Sequence, residues 1–290
     1  MSVKQHTGAY YIPDPSPWPI IGMVSLLTTL VGTALTMNGV GIGKYVVVAG
    51  LLAFFYLLYS WFRDVIRENL EDRYNQQVDT SFRMGMFWFI ASEVFFFLSF
   101  FGALFYIRNI ALPWLGGEGY LGATHDLLYS GFESQWPSNG PGEQGGEYQP
   151  MGPWGIPAIN TLLLLSSGVT ITWAHWGLKI DKQKQLVWGL VATIALGLLF
   201  VMLQAYEYGH AYAELNLTLE TGAYGSTFYM LTGFHGFHVT MGAVMLMAIL
   251  GRSLKSHFSA HNHFAFEAVA WYWHFVDVVW LGLFVFVYWL

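Results

Sequence analysis

Seven long apolar stretches are the feature that most restricts what this chain can fold into. A bilayer core about 30 Å thick is crossed by a helix of about 20 mostly apolar residues. Charged residues make up only 10% of the sequence, against about 25% in a soluble domain. The sequence therefore predicts an all-α, polytopic membrane protein with seven transmembrane helices, at Trp18–Met37, Tyr45–Phe62, Met84–Ile107, Gly155–Trp176, Leu186–Tyr208, Thr227–Leu250 and Ala268–Leu290.

The distribution of lysine and arginine predicts the orientation of these helices. If the N-terminus is cytoplasmic, ten of the twelve basic residues fall in cytoplasmic segments, and only Lys44 and Arg108 lie outside. Basic residues concentrate on the cytoplasmic side of membrane proteins. We therefore expect a cytoplasmic N-terminus and a C-terminus, at Leu290, on the opposite, periplasmic side.

Two connecting segments differ from the spans. Ser60–Asp79 carries charges of both signs and is interpreted as a helix that continues out of the second span into water, with Asp64 and Arg67 as neighbours. Leu112–Pro153 is rich in Gly, Pro and acidic residues and is interpreted as a long external loop. The predicted parts are an N-terminal two-helix part, residues 1–80, and a five-helix bundle, residues 81–290.

Composition also limits the chemistry. The chain contains no cysteine, which excludes disulfides, thiolate zinc sites, iron–sulfur clusters and a cysteine-bridged copper pair. No basic patch or motif indicates nucleic-acid binding.

Glu93 is the first candidate functional residue. It follows Arg83 by ten residues, which is about 15 Å along a helix and close to the middle of the bilayer. A carboxylate at that depth needs water or a partner, and such residues mark functional sites. Glu93 is interpreted as a proton site or a lipid- or ligand-facing switch, or else as a protonated acid that is hydrogen-bonded between helices.

Further polar residues lie in the last two spans. Glu267 and His274 are seven residues apart and share a helix face, and Asp277 follows on the next turn. His235 and His238 are one turn apart, beside a stripe of small residues that indicates close helix packing rather than a haem pocket. We interpret all five as a polar intramembrane network that fixes packing; a proton relay or a metal site is the alternative.

Basic and aromatic residues at the cytoplasmic membrane level predict contacts with anionic headgroups. His257, His261 and His263 lie at the same level and are assigned to lipid headgroups or a partner rather than to a metal. The residues predicted to bind lipid are Trp61, Arg63, Arg83, Glu93, Arg252, Lys255 and His257.

Several of these segments resemble subunit III of the haem–copper cytochrome c oxidases. The matching stretches occur in family order along almost the whole chain, and the last two are long and specific. They are PSPWPIIG at Pro15–Gly22, WFRDVIRE at Trp61–Glu68, RMGMFWFIASEVFFF at Arg83–Phe97, SSGVTITWAHWGL at Ser166–Leu178, LQAYEY at Leu203–Tyr208, YGSTFYMLTGFHGFHVTMG at Tyr224–Gly242 and HFAFEAVAWYWHFVDVVWL at His263–Leu281.

The resemblance implies a fold of two helix groups, the first two spans and the other five, around a V-shaped cleft that holds phospholipids. Trp61, Arg63, Arg83, Glu93 and Arg252 match residues that the family places in or around that cleft, and Glu93 matches its carbodiimide-reactive carboxylate.

The resemblance also implies a function. The expected protein is a non-redox accessory subunit of a proton-pumping oxidase. It binds structural phospholipids, packs on subunit I in a hetero-oligomer that includes subunit II, and supports proton uptake by subunit I. Haem and copper are expected in those partner subunits and no metal or other cofactor in this chain.

The sequence departs from the family pattern at a few positions, including Gly102, Tyr106 and Trp176, and its external loop is longer than in mitochondrial relatives. The long loop favours a bacterial source and therefore the bacterial inner membrane. The alternatives are subunit III of a quinol oxidase, the related nitric oxide reductase accessory subunit, and a stand-alone proton channel or transporter that uses Glu93, Glu207 and Asp277.

Overall fold

The computed structural model of the protein describes residue 11, residues 14–119 and residues 122–290. Within these residues the regular secondary structure is helical and contains no strand. Seven helical spans are long and apolar enough to cross a membrane, as predicted. These spans contain the helices α1 Trp18–Met37, α2 Gly43–Leu70, α3 Gln76–Tyr106, α6 Ile156–Lys179, α7 Gln183–Glu214, α8 Gly222–Leu254 and α9 Phe264–Leu283.

The charged segment after the second span is shorter as a helix than the sequence predicts. Helix α2 ends at Leu70, and Asp72 adopts a positive φ of 51° in the turn that follows. Asp79 therefore belongs to α3 and not to a continuation of α2. The predicted Asp64–Arg67 neighbours do form an ion pair of 3.2 Å on the helical part.

The segment from Leu112 to Pro153 is more ordered than the predicted loop. A π-helical turn, Ile107–Ala111, extends α3 into the short helix α4, Leu112–Leu115, and α5 follows at Gly122–Leu128. The irregular remainder is held by hydrogen bonds to the α7–α8 turn and to the first turn of α8. Asn216 Nδ2 donates to the Glu147 carbonyl (2.8 Å), and the Tyr224 amide donates to the Ser138 carbonyl (3.0 Å). Pairing of this kind joins residues far apart in sequence, and local composition does not reveal it.

The chain divides into two compact units, of which the first ends at Met84 and the second is Gly85–Leu290. In the first unit, α1 and α2 pack as an antiparallel pair through small residues. A Cβ on Gly32 would lie 2.5 Å from the Val47 nitrogen, and one on Gly43 would lie 2.5 Å from the Thr36 nitrogen. The glycines and threonines that dilute the hydropathy of these spans therefore allow the two backbones to approach closely.

The second unit has a buried core around two tryptophans of α9. Trp273 and Trp280 are fully buried. The Trp273 indole Nε1 donates to Ser167 Oγ (2.8 Å), and the Trp280 Nε1 donates to Thr161 Oγ1 (2.9 Å), so α9 is tied to α6 at two levels. Gly197 of α7 makes room for the Trp273 ring, because a Cβ there would lie 2.5 Å from it.

Changing Gly32 to Val tests the packing of α1 on α2. The added side chain meets backbone atoms of α2, so we expect the free energy of unfolding to fall by ~1–3 kcal/mol, as for overpacked cores. The measurement is thermal unfolding of the full-length chain in detergent, followed by circular dichroism. Gly102→Val is the matched control, because a Cβ at Gly102 meets nothing within 4 Å. Equal unfolding temperatures for the two variants would contradict the packing described here.

Candidate lipid-binding and polar intramembrane sites

Glu93 lies on α3 and forms a close pair with His238 of α8. The distance from Glu93 Oε2 to His238 Nε2 is 2.9 Å, and both side chains are largely buried. The other ring nitrogen, His238 Nδ1, lies 2.6 Å from the Phe234 carbonyl. A carbonyl only accepts, so Nδ1 carries a hydrogen. The contact between His238 Nε2 and Glu93 Oε2 is a hydrogen bond, which requires a proton between the two atoms.

Aromatic rings enclose this pair. The Phe97 ring lies 5.0 Å from the His238 ring in an edge-on arrangement, and the Tyr272 ring stacks on the His238 ring at 6.4 Å. The Tyr272 hydroxyl donates to the His238 carbonyl (3.3 Å). A hydrogen-bonded acid and imidazole beside aromatic rings form an arrangement that an apolar interior tolerates, because a lone charge there is costly. Chemically, the hydrogen bond between the two side chains holds one proton.

In the first unit, the predicted lipid-binding residues lie near the end of α2 and the start of α3. Trp61 and Arg63 are exposed, and Trp61 stacks on Phe62 at 5.9 Å. In the part of the chain that the structure describes, Arg63 makes no ion pair or hydrogen bond of its side chain. Arg83 differs, since its Nε donates to Asp79 Oδ2 (2.7 Å), one helical turn earlier. Arg63 is therefore the more available of the two cations for a phosphate.

In the second unit, Glu93 lies on α3 and is hydrogen-bonded to His238, and the other predicted lipid-binding residues lie where α8 ends. The Arg252 guanidinium stands over the Phe258 ring at 4.4 Å, and its Nε finds no hydrogen-bond partner among the described residues. Lys255 is exposed beside it. Burial, together with the charges of Arg252 and Lys255, lowers the pKa of His257, so this imidazole is neutral at neutral pH. The end of α8 thus presents two cations and an aromatic ring.

The five residues assigned to one polar network are divided among several separate sets of contacts. His238 pairs with Glu93, as described above. His235 Nε2 lies 3.1 Å from the Val276 carbonyl oxygen. The Asp277 carboxylate packs against α6 at Gly168, where a side chain would collide with it. His274 is exposed and lies 3.3 Å from Thr172 Oγ1.

Glu267 belongs to another group, near the N-terminal end of α9. Its Oε1 lies 3.3 Å from His263 Nε2 and 3.5 Å from His175 Nε2. His175 was not singled out in the sequence, although it stands in the WAHW stretch at a position one turn from the end of α6.

A second contact that sequence reasoning missed is at the opposite end of this unit. Glu207 of α7 is almost fully buried, and the Tyr288 hydroxyl donates to its Oε1 (2.8 Å). The signal available in the sequence was an acid inside an apolar span, in LQAYEY. Its partner lies 81 residues further along the chain and could not be inferred from spacing.

Comparisons with known proteins agree with this architecture. The family described as cytochrome c oxidase subunit III matches residues 8–118 and 130–290. Among similar proteins are three named cytochrome c oxidase subunit 3. That of Dugong dugon is 42% identical over 288 residues, 99% of both chains. That of Struthio camelus is 40% identical over 282 residues, 97% of both chains. That of Latimeria chalumnae is 41% identical over 282 residues, again 97% of both.

The family match spans most of the chain, and the relatives align with it nearly end to end. The described residues also include seven helices that are long and apolar enough to cross a membrane, and Glu93 lies on the third of them. The chain therefore belongs to the cytochrome c oxidase subunit III family.

Proposed function

We propose that this chain is the accessory subunit III of a proton-pumping cytochrome c oxidase and that it acts by binding phospholipid beside the catalytic subunits. The proposal rests on family membership combined with basic side chains towards the ends of α2 and α8, where Arg63 and Lys255 are exposed and Arg252 is half-buried. Guanidinium groups bind phosphate through charge-assisted hydrogen bonds. Arg63 in the first unit and Arg252 in the second are the cations that we assign to lipid headgroups. Trp61 and Arg83 are assigned with the former, and Lys255 and His257 with the latter.

The orientation that we propose puts these cations at the inner leaflet. An N-terminus in the cytoplasm brings ten of the twelve basic residues to that side, where anionic headgroups attract them. Within the second unit, the Gln183 side chain at the start of α7 donates to the Ser253 carbonyl near the end of α8, so Lys182, Lys184 and Arg252 lie at one end. The proposed location is the inner membrane of a bacterium.

Haem and copper belong, in this proposal, to subunits I and II. The surroundings of the two histidines of α8 support this assignment of haem and copper to other subunits. His235 is enclosed by Phe200 and Trp280, whose rings lie 5.6 and 5.2 Å from its own, and such packing leaves no volume for a haem. His238 uses both ring nitrogens on Phe234 and Glu93.

An exposed histidine on α9 supports assembly with another polypeptide. His274 lies ten residues after the start of α9, about 15 Å along the helix and deep in the membrane. Polar side chains at that depth rarely face lipid, because hydrocarbon offers them no partner. We propose that subunit I is the main neighbour of this chain, and that bound lipid and packed helices stabilise it and support its proton uptake.

Replacing Arg63 and Arg252 together by Ala tests the lipid assignment. Each basic residue at the membrane surface contributes about 1 kcal/mol of attraction to anionic headgroups, which is about fivefold in affinity. We therefore expect the purified oxidase to retain less phospholipid and to lose activity faster during turnover, with unchanged haem content. Lipid phosphorus, the haem spectrum and the decay of oxygen consumption are the measurements.

Lys44→Ala is the matched control for that experiment. Lys44 is also exposed and basic, but it lies at the start of α2, on the side that we assign to the periplasm. It should leave lipid retention and turnover lifetime at wild-type values. If the double arginine variant behaves like Lys44→Ala, the lipid assignment is wrong.

Changing Glu93 to Gln tests the reactivity of the mid-membrane pair. Gln keeps a hydrogen-bonding side chain beside His238, so we expect the complex to assemble normally. We also expect a hydrophobic carbodiimide to stop labelling this chain, as measured by mass spectrometry of its peptides. Glu207→Gln is the control, because Glu207 is a buried acid in a different place and its loss should leave labelling intact. Persistent labelling of the Glu93→Gln chain would assign the reactive carboxyl group to another residue.

A further inference from the structure

Three potential metal ligands converge where α6 ends and α9 begins. We propose that His175, His263 and Glu267 form a binding site for a divalent transition-metal ion, with Zn²⁺ as the best-suited ion. Each residue offers one ligand atom, an imidazole nitrogen or a carboxylate oxygen, and these three atoms lie within 4.8 Å of one another. The site uses residues from α6, from the segment before α9 and from the first turn of α9.

The tautomer of His263 is the first argument for a cation. His263 Nδ1 lies 3.0 Å from the Ser259 carbonyl, so Nδ1 carries a hydrogen and donates it. In the neutral ring, Nε2 then presents its lone pair. That nitrogen lies 3.3 Å from Glu267 Oε1, and the two atoms are not hydrogen-bonded. An imidazole nitrogen and a carboxylate oxygen this close can bind one cation between them.

The second imidazole strengthens the argument. His175 Nε2 lies 3.5 Å from the same Glu267 oxygen, and the two imidazole rings are 5.4 Å apart. Among the described residues, neither His175 Nε2 nor His263 Nε2 has a hydrogen-bond partner, although both atoms are buried. His263 is itself nine-tenths buried, with 9% exposure. A buried nitrogen without a partner is costly, and one metal ion would satisfy both nitrogens together.

The ligand types select the metal. Two imidazole nitrogens and one carboxylate form a common zinc set that leaves a further position for water. Mg²⁺ and Ca²⁺ prefer oxygen ligands only, whereas imidazole suits zinc and its neighbours in the first transition row. The Ser259 carbonyl supplies the outer contact that fixes the tautomer of a metal-bound histidine.

The site would tie the C-terminal end of α6 to the start of α9. This assignment differs for His263 from the sequence-based expectation of a headgroup or partner contact. Lys179, one turn after His175, has an unfavourable charge for this ion. We therefore expect a site that is readily emptied by a chelator rather than one on which folding depends.

Zinc binding to the intact oxidase tests the proposal. The purified complex is treated with a chelator, checked by its haem spectrum for retained cofactors, and titrated with radioactive ⁶⁵Zn²⁺. We expect the wild-type complex to bind one more zinc ion than complexes carrying His263→Gln or His175→Gln, or to bind it at least about tenfold more tightly. His261→Gln is the matched control, because His261 lies two residues from His263 but is exposed. It should bind zinc as the wild type does.

Two outcomes would overturn the site. The first is equal zinc binding by all four complexes. The second is a zinc-edge X-ray absorption spectrum of the wild-type complex that lacks an ion with two imidazole ligands. That spectrum also decides the matter if the two histidine variants fail to assemble. Neither measurement depends on lipid retention, so the metal site and the proposed lipid function succeed or fail separately.

Discussion

Hydrocarbon offers no hydrogen-bond partner, so each polar side chain within the spans must find its partner inside the protein. Five long-range contacts in the second unit meet this requirement. Trp273 donates to Ser167, Trp280 to Thr161 and Tyr288 to Glu207, while His235 lies on the Val276 carbonyl and His238 on Glu93. These contacts link α9 to α6 and α8, link α7 to the π-helical turn Phe284–Trp289 that follows α9, and link α3 to α8. Packing of the second unit is therefore specified by polar groups as well as by apolar area, which lipid matches equally well.

Such contacts need close approach of the helices, and glycine provides it. Gly168 leaves space for Asp277, and Gly197 leaves space for the Trp273 ring. A side chain at either position would separate α9 from α6 or α7 and break the hydrogen bonds that neighbour it. In the first unit, Gly32 and Gly43 have the same role between α1 and α2, where threonine hydroxyls donate to carbonyls of their own helix, as Thr36 does to Gly32 (2.8 Å). Small residues thus allow the helices to approach closely enough for the internal polar contacts to form.

The sequence predicted what depends on local pattern and missed what depends on distant pairing. Hydropathy located all seven spans, and for α1 the predicted bounds, Trp18–Met37, are those observed. The end of α2 was missed because charged residues continue beyond Leu70 without a change in helical propensity that marks the turn. Spacing grouped Glu267 with His274, on one face of one helix. Pairing of Glu93 with His238, 145 residues away, required the fold.

The two proposed ligands carry opposite charges and bind at the same end of the second unit. At the end of α8, Arg252 and Lys255 are neighbouring cations, and the Arg252 Nε has no acceptor among the described residues. An anionic headgroup supplies such an acceptor. At the start of α9, His175, His263 and Glu267 bring three potential metal-ligand atoms together. A metal ion is the ligand that we propose for them. Because the two sets of side chains are distinct, phosphate and metal can occupy neighbouring positions on this end of the unit without competing for the same side chains.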